Sequence, residues 1–269
     1  MSGASGRVPS VDKAAEIVGL LSESGVPLRL NDLATSLGIA KSTALGICAT
    51  LVQHELIERL SDDTYRPGVG LLRLGTVFLE RLRVLKHFED ACDEIMPRPR
   101  ATVVLGILRE DRVLYVGRRE GRSPIGISHV GVTLPAWTTS TGRAILSRRP
   151  PQEVADLLRR YPPVKQTRRS RTDPKELLSL LTVAAVNGYA VDDEETVEGV
   201  VGCGAAIIDG AGAGVAAVAM SCTSTMADDR YRAVVSAEIV GLGEEIGRRL
   251  RSDAEACHPS ASRVPAKSV

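Results

Sequence analysis

The sequence predicts an α+β protein whose N-terminal part is helical and whose C-terminal part is a mixed β-sheet with helices packed on it. Three observations lead to this fold class. Two short helical patterns meet at Gly38, Pro97 and Pro99 interrupt the chain, and strand-like and helix-like segments alternate after them. A chain of 269 residues has room for one large domain or two smaller ones.

The composition limits the class of protein. The hydrophobic content of 43% and the charged content of 25% are typical of a soluble globular chain, and the net charge of +1 favours no partner. Aromatic residues, at 3%, are too few for the stacking surfaces that bind single-stranded nucleic acid. Five cysteines without a CxxC spacing predict reduced thiols. Without a run of roughly 18 apolar residues or an apolar leader, we expect a cytoplasmic protein and no membrane contact.

The N-terminal part predicts three helices. Residues 1–8 are expected to be a disordered tail, and a first helix follows from Ser10, as N-cap, to about Gly25. The stretch 30–58 then gives two helices separated by Gly38, and the second has one apolar face, made by Ala44, Ile47, Cys48 and Leu51. Two short helices joined by a tight turn predict a helix-turn-helix, whose second helix can enter a DNA major groove.

A short hairpin completes this unit. Residues 56–60 are β-compatible, residues 61–64 form a turn, and a second strand begins at Tyr65. Residues 9–70 therefore predict a winged helix-turn-helix domain. Residues 71–96 predict a linker and dimerisation helix, which starts at about Val69 and has an apolar stripe that can pack on a second copy. Pro97 and Pro99 end this helix.

Residues 97–251 predict an α/β domain able to hold a small ligand. The predicted strands cover residues 103–108, 113–118, 125–129, 189–193, 204–209 and 214–220. The predicted helices cover residues 138–147, 152–160, 174–187 and 230–250. Residues 252–269 are rich in Ser, Ala and Pro, which predicts a disordered tail.

Three spaced stretches, in this order, resemble the IclR family of bacterial transcriptional regulators. The first is Asp32-Leu33-Ala34 with Gly38-Ile39-Ala40-Lys41-Ser42-Thr43, the second is VGVTLPAWTTSTGRAILS at 130–147, and the third is GYAVDDEETVEGV at 188–200. The resemblance implies a GAF-like effector-binding domain, a homodimer that often pairs into a homotetramer, and double-stranded operator DNA whose binding a small molecule modulates. The run Leu134–Arg143 also resembles the subgroup that controls the breakdown of aromatic acids, so an aromatic or other organic acid is one expected effector.

The candidate DNA contacts follow from the start of the third helix. Free backbone N–H groups and the helix dipole favour a phosphate beside Lys41, Ser42 and Thr43, although Ser42 and Thr43 also suit a plain helix cap. The full candidate set is Arg29, Lys41, Ser42, Thr43, Leu45 and Arg66. Two observations oppose strong base reading. Residues 1–75 hold seven basic and eight acidic side chains, whereas a DNA-binding domain usually has a basic face. Leu45 and Gly46 stand where the resemblance implies polar or basic groups.

The candidate effector residues lie in the two C-terminal stretches. The resemblance implies an Asp at Asp192, a Cys at the position of Gly202, and Ser residues at the positions of Ala219 and Ser221; Cys203 follows Gly202 and faces the other side of its strand. Trp137 could line the cavity or pack in the core. The full candidate set is Gly131, Leu134, Ala136, Trp137, Thr139, Ser140, Gly142, Asp192, Gly202, Cys203, Ala219 and Ser221.

Other chemistries find little support in the residues. Asp192, Asp193, Glu194, Glu195 and Glu198 form an acidic cluster, which we interpret as a solvated face because no histidine stands at ligand spacing from it. No metal and no cofactor are expected. Cys203 with His129 has no nucleophile motif, so we expect no enzyme activity. The alternatives are a winged-helix protein acting through protein contacts and, less favoured, a GAF-like enzyme.

Overall fold

The computed structural model describes residues 6–122 and 129–257. The tails 1–5 and 258–269 lie outside the described residues, as do residues 123–128, which hold most of the strand predicted over Ile125–His129. Contacts within the chain divide it into two compact units, Met1–Arg81 and Leu82–Val269.

The first unit is a winged helix-turn-helix of three helices, as predicted, followed by a fourth helix. Its elements are α1 (Pro9–Glu23), β1 (Leu28–Arg29), α2 (Leu30–Leu37), α3 (Lys41–Gln53), β2 (Ile57–Arg59), β3 (Thr64–Pro67) and α4 (Val69–Glu80). Gly38 ends α2 in the left-handed conformation, with φ of +62°, which explains the glycine at this turn. The core of the unit is formed by apolar residues from all three helices and from the wing, among them Ile17, Leu33, Cys48, Ile57 and Tyr65.

Two details at the start of this unit differ from the prediction. Ser10 is not the N-cap of α1, because Pro9, whose fixed φ suits the first helical position, already lies inside the helix. The short strand β1 was not predicted, and it pairs antiparallel with β3, so that the small sheet has the order β1-β3-β2. Two residues are too few for a recognisable strand pattern.

The predicted single linker helix is wrong. The segment forms two helices, α4 and α5 (Arg83–Ile95), and the residue between them, Leu82, is extended with φ of −85° and ψ of 90°. Helix α5 buries Phe88, Ala91 and Cys92, and it contacts α9 (Asp229–Cys257) and the sheet of the second unit. Neither proline nor glycine marks the break between the two helices. We attribute the break to the packing of α5 on its own unit, which the periodicity of the sequence cannot show.

The second unit is built on one six-stranded sheet. Its strands are β4 (Thr102–Arg109), β5 (Arg112–Arg119), β6 (Thr133–Pro135), β7 (Ala190–Asp193), β8 (Val200–Ile208) and β9 (Gly214–Thr223), in the order β6-β5-β4-β9-β8-β7. Its further helices are α6 (Ser140–Leu146), α7 (Pro151–Arg160) and α8 (Pro174–Asn187). The α+β class is confirmed, but the mixed sheet is wrong, because every described strand pair is antiparallel. Consecutive strands here are joined mainly by hairpins, which produce antiparallel pairs.

The two faces of the sheet are covered by different helices. On one face Gly202 and Gly204 allow α6 to approach β8, because a Cβ at Gly204 would lie 2.8 Å from the Ser140 carbonyl carbon. On the other face Gly243 of α9 lies against Ala205 and Ala206 of β8. The sheet is therefore buried on both sides, and residues that alternate along β8 face different helices.

Two elements are longer than predicted. Strand β8 begins at Val200 and not at Gly204, since its early glycines, which weaken a strand pattern, are required by the approach of α6. Helix α9 continues to Cys257, so the predicted disordered tail is wrong for residues 252–257. Asp253 Oδ2 lies within hydrogen-bond distance, 2.9 Å, of the His87 Nε2 of α5, which helps to hold this last part of the helix in place.

Candidate functional site

The outer face of α3 is free, as the helical pattern predicted. Ala44, Cys48 and Leu51 are buried against the first unit, whereas Lys41, Ser42 and Thr43 are exposed at the start of the helix. Leu45 is 45% exposed, so it is not a shielded packing residue. A Cβ built at Gly46 would meet nothing within 4 Å, and no close approach within the protein requires this glycine.

Three of the predicted DNA-contacting residues lie together. Arg29, Lys41 and Leu45 line one surface groove of about 430 Å³, which is also lined by Arg59, Asp62, Asp63 and Tyr65. Arg59 was not among the predicted residues, although its place in the wing strand β2 was a usable signal. The groove carries three positive and two negative side chains, and Arg59 and Asp63 form a 2.8 Å ion pair.

Arg66 is the exception among the predicted basic residues. It does not line the groove, and its guanidinium instead forms a 2.8 Å ion pair with Glu58 across the wing hairpin. Both side chains are about half exposed, so the pair is weakly held and its charge is screened by solvent.

In the second unit, four predicted effector residues meet around Gly202. A Cβ at Gly202 would lie 2.9 Å from the Ser140 Oγ, 3.2 Å from the Ser221 Oγ and 3.7 Å from the Asp192 Cβ. Asp192 and Ser221 are the strand partners of Gly202 on β7 and β9, while Ser140 comes from α6. The absence of a side chain at Gly202 therefore allows the Ser140 and Ser221 hydroxyl groups and the Asp192 side chain to pack closely around the strand. We call Ser140, Asp192, Gly202 and Ser221 the Gly202 cluster.

The start of α6 fixes Ser140 over this cluster. Gly142 is essential there, because a Cβ at this position would lie 2.3 Å from the Ala136 carbonyl oxygen. Thr139 caps the helix: its Oγ1 accepts a 3.1 Å hydrogen bond from the Gly142 N–H and donates to the Pro135 carbonyl. Thr139, Gly142 and Ala136 thus shape the helix start and contribute no free group.

Asp192 is buried, with 7% exposure, at the edge of the sheet. Its Oδ1 accepts hydrogen bonds from the Glu195 N–H, at 2.8 Å, and from the Thr196 N–H, at 3.2 Å. Burial raises the pKa of Asp192 to about 6, against the lowering effect of the Thr196 and Glu195 hydrogen bonds and of the Arg143 charge. Both backbone bonds go to Oδ1, and the Thr196 side chain is a further hydrogen-bond partner of the carboxyl group.

The predicted solvated acidic face is wrong for Asp192 and Glu195, which are buried, whereas Glu198 is exposed. Glu195 is only 1% exposed, and its carboxylate forms a bidentate ion pair with Arg143, with N–O distances of 2.5 and 2.6 Å. The Arg143 guanidinium also donates to the carbonyl groups of Trp137 and Val191. Glu195 accepts a further hydrogen bond from the Arg171 N–H. This pair ties α6 to the β7–β8 loop, and sequence reasoning missed it.

The remaining predicted effector residues are not gathered at the Gly202 cluster. Trp137 packs in the core, at 2% exposure, and its buried Nε1 has no hydrogen-bond partner among the described residues. Ala219 is also a core residue, two positions before Ser221. Leu134 is half-buried on β6, and Gly131 is exposed, with φ of +92°.

Cys203 lies on the opposite face of β8 from Gly202, as the strand alternation predicted, and therefore outside the Gly202 cluster. It is buried on the side that α9 covers. Burial raises its thiol pKa to about 12, against the lowering effect of the Arg232 charge. Such a thiol is protonated at neutral pH and is a poor nucleophile or metal ligand.

Metal binding and membrane crossing find no support in the described parts of the chain. Within residues 6–122 and 129–257, no three His, Cys, Asp or Glu side chains are placed to hold a metal ion. Over the same residues no single helix is long and apolar enough to cross a bilayer, and the bent pair α2–α3 meets the length and composition criteria only when joined.

Comparison with known proteins identifies the protein family to which both units belong. Residues 76–248 match the family model described as bacterial transcriptional regulator IclR C-terminal, and residues 10–61 match the IclR helix-turn-helix domain. The chain belongs to the IclR family of transcriptional regulators. Regulators of this family bind DNA through the helix-turn-helix domain and an effector through the C-terminal domain.

Individual relatives agree over most of their length. The glycerol operon regulatory protein of Streptomyces coelicolor is 32% identical over 75% of this chain and 80% of its own. The crystal structure of the Thermotoga maritima IclR superposes with a TM-score of 0.74 at 26% identity, over 91% of this chain and 99% of that one. An IclR homologue from Microbacterium hydrocarbonoxydans, complexed with 4-hydroxybenzoate, shares the fold with a TM-score of 0.70 at 20% identity, over 88% and 98% of the chains.

Proposed function

We propose that this regulator docks α3 in the major groove of an operator and places Arg29, Lys41 and Arg59 against the phosphates. The observation that carries the proposal is the free outer face of α3 beside a groove that gathers these three basic side chains. Ser42 and Thr43 add hydroxyl groups at the helix start, where backbone N–H groups also favour a phosphate. Leu45 is exposed at a position suited to a thymine methyl group.

A gel-shift titration with DNA from upstream of the gene tests this proposal. We expect Lys41→Ala to weaken binding to all sequences alike and to reduce the slope of log K against log salt by about one unit, because one phosphate contact is lost. Lys175→Ala, which removes an exposed lysine of α8 in the other unit, is the matched control. An unchanged slope for Lys41→Ala would exclude Lys41 from the DNA contact, and absence of any shift at low salt would refute DNA binding.

We further propose that the effector binds at the Gly202 cluster. The cluster brings together the Asp192 side chain and two serine hydroxyl groups, and Trp137, three residues before Ser140, has a buried Nε1 without a hydrogen-bond partner among the described residues. Buried polar groups normally have a hydrogen-bond partner, so this unpaired N–H group suits a ligand that accepts a hydrogen bond. Ser140→Ala is expected to reduce the response of DNA binding to the effector and to leave effector-free DNA binding unchanged.

Self-association is the third part of the proposal. Helix α4 has only 12 residues, yet Val69, Leu72, Leu74, Val77 and Phe78 are all exposed on it. A short helix with so much apolar surface in water needs a covering partner. We infer that a second copy of the chain covers α4 in a homodimer.

Catalysis is the competing function, and the geometry gives it little support. The Cys203 thiol is buried with a pKa of about 12, and His129, its suggested partner, lies beside Arg118 at 2.9 Å. A winged-helix protein acting through protein contacts is favoured by Leu45 and Gly46 on the outer face of α3 and by the excess of acidic side chains in residues 1–75. Equal affinity for operator and unrelated DNA in the same gel shift would support that alternative.

A further inference from the structure

The second unit has a strongly basic segment that takes no part in the DNA and effector sites proposed above. Residues 159–171, which run from the last turn of α7 into the loop before α8, hold six basic side chains and no acidic one. With these six charges taken from the net charge of +1, the remaining residues have a net charge of −5. Such a concentration of like charge attracts a partner of the opposite sign. We call residues 159–171 the basic segment.

Buried hydrogen bonds hold the centre of the basic segment in one conformation. The Ser170 Oγ, on a side chain with 5% exposure, accepts hydrogen bonds from the N–H groups of Gln166, at 2.9 Å, and Thr167, at 2.8 Å. It donates to the Glu195 carbonyl oxygen at 2.6 Å, and the Thr167 hydroxyl donates to the Glu194 carbonyl oxygen at 2.7 Å. A loop fixed in this way loses little conformational entropy when a partner binds it.

The basic side chains of this segment are largely available to a partner. Arg160, Lys165 and Arg168 are exposed and form no ion pair with any described residue. Arg169 pairs with Glu194 at 3.2 Å, but its side chain is 58% exposed, so water screens the pair. The segment therefore presents guanidinium and ammonium groups on a fixed backbone.

A groove with apolar walls adjoins the basic segment. It has a volume of about 260 Å³ and lies between α8, the edge strand β7 and α9. Leu180 and Val183 of α8 line it together with Tyr189, and Val183 is 52% exposed. Arg171 of the basic segment and Arg232 of α9 also line it, so positively charged side chains flank its apolar surface.

The acidic side chains that line the groove are already paired. Glu195 belongs to the buried ion pair with α6, and Asp193 pairs with Arg232 at 3.0 Å. The shorter ion-pair contact of Arg171, at 3.2 Å, is with Glu176, whose side chain is 51% exposed. An exposed pair of this kind contributes little free energy, so an incoming carboxylate can replace Glu176 at little cost.

We propose that the basic segment and this groove bind an acidic segment of a partner protein that also carries an apolar side chain. Its carboxylates pair with Lys165, Arg168 and Arg171, and its apolar side chain packs on Val183. Arginine clusters that recognise acidic motifs, and apolar pockets filled by one side chain, are both typical of protein interfaces. DNA fits less well, because a phosphate backbone has charge but no apolar side chain to place in the groove.

Phage display of random short peptides on the full chain tests the proposal. We expect the selected peptides to contain several Asp or Glu residues and at least one large apolar residue. Fluorescence anisotropy with a labelled synthetic copy of the most frequent peptide then measures affinity. Lys165→Glu with Arg168→Glu should weaken binding of this peptide at least about tenfold, because attraction becomes repulsion. Arg98→Glu with Arg230→Glu reverses two exposed charges elsewhere in the second unit and is the matched control.

A second pair of variants separates this site from unspecific attraction between charges. Val183→Lys adds a positive charge but removes the apolar contact, so we expect it to weaken binding of the peptide by about fivefold or more. Val186→Lys adds the same charge at an exposed valine of α8 outside the groove, and the affinity should stay within about twofold. Attraction between charges alone would strengthen binding in both variants.

Three results would overturn the inference. The first is that no selected peptide loses affinity when Lys165 and Arg168 are reversed, and the second is that Val183→Lys strengthens binding as Val186→Lys does. The third is that the reversal at Lys165 and Arg168 weakens operator binding in a gel shift, or dissociates the chain in analytical ultracentrifugation. These last outcomes would identify DNA or a second copy of the chain as the occupant.

Discussion

The buried ion pair between Arg143 and Glu195 allows a sharp prediction. Glu195→Gln keeps the shape of the side chain but removes the charge that balances a guanidinium with 2% exposure. Breaking one partner of a buried pair leaves an uncompensated charge and costs about 3–5 kcal/mol. This cost is a large part of the roughly 5–15 kcal/mol that stabilises a typical protein.

Urea unfolding, followed by circular dichroism, measures the effect. With a slope of about 2 kcal/mol per molar urea, the second unit should unfold at a midpoint roughly 1.5–2.5 M lower in Glu195→Gln. The double variant Arg143→Met with Glu195→Leu should lose less stability than the two single variants together, because it leaves no unpaired charge. A loss below about 1 kcal/mol in Glu195→Gln would show that water or another group already compensates Arg143, and the reasoning would fail.

Two further predictions concern the first unit. Gly46→Ala should raise the free energy of unfolding by up to about 1 kcal/mol, because alanine favours a helix interior and the new methyl group meets no atom within 4 Å. Thermal unfolding measures this change, and a lower melting temperature in the variant would contradict the prediction. Val77→Glu should shift the chain from dimer to monomer in analytical ultracentrifugation, because it places a charge on the exposed apolar surface of α4. Val186→Glu, at an exposed valine of α8, is the control and should leave the dimer intact. An unchanged dimer in Val77→Glu would show that the interface lies elsewhere.

Local patterns predicted the first unit well. The burial of Ala44, Cys48 and Leu51 follows from a 3.6-residue period, and the end of α2 follows from a glycine that adopts a positive φ. The break at Leu82 could not be predicted in this way, because no residue type marks it and the packing of α5 within its own unit determines it.

At the candidate site, too, local patterns predicted some features, whereas contacts between distant parts of the chain were not predicted. Strand alternation correctly separated Gly202 from Cys203, since period two depends only on the local backbone. The pairing of Arg143 with Glu195 spans 52 positions in the chain, and no local pattern reports such a contact. The sequence did contain one signal. The helix Ser140–Leu146 consists otherwise of small and apolar residues, and an arginine buried in it needs an acidic side chain to neutralise its charge.

If the proposed groove is the DNA contact, its acidic side chains affect how the protein searches a genome. Asp62 and Asp63 lie beside Arg29, Lys41 and Arg59, so few phosphates can be neutralised by each copy of the unit. Binding to random DNA comes almost entirely from such phosphate contacts and falls steeply with salt when they are many. A regulator with few of them is held only briefly by the large excess of non-operator DNA, and a larger share of its molecules stays free to find the operator.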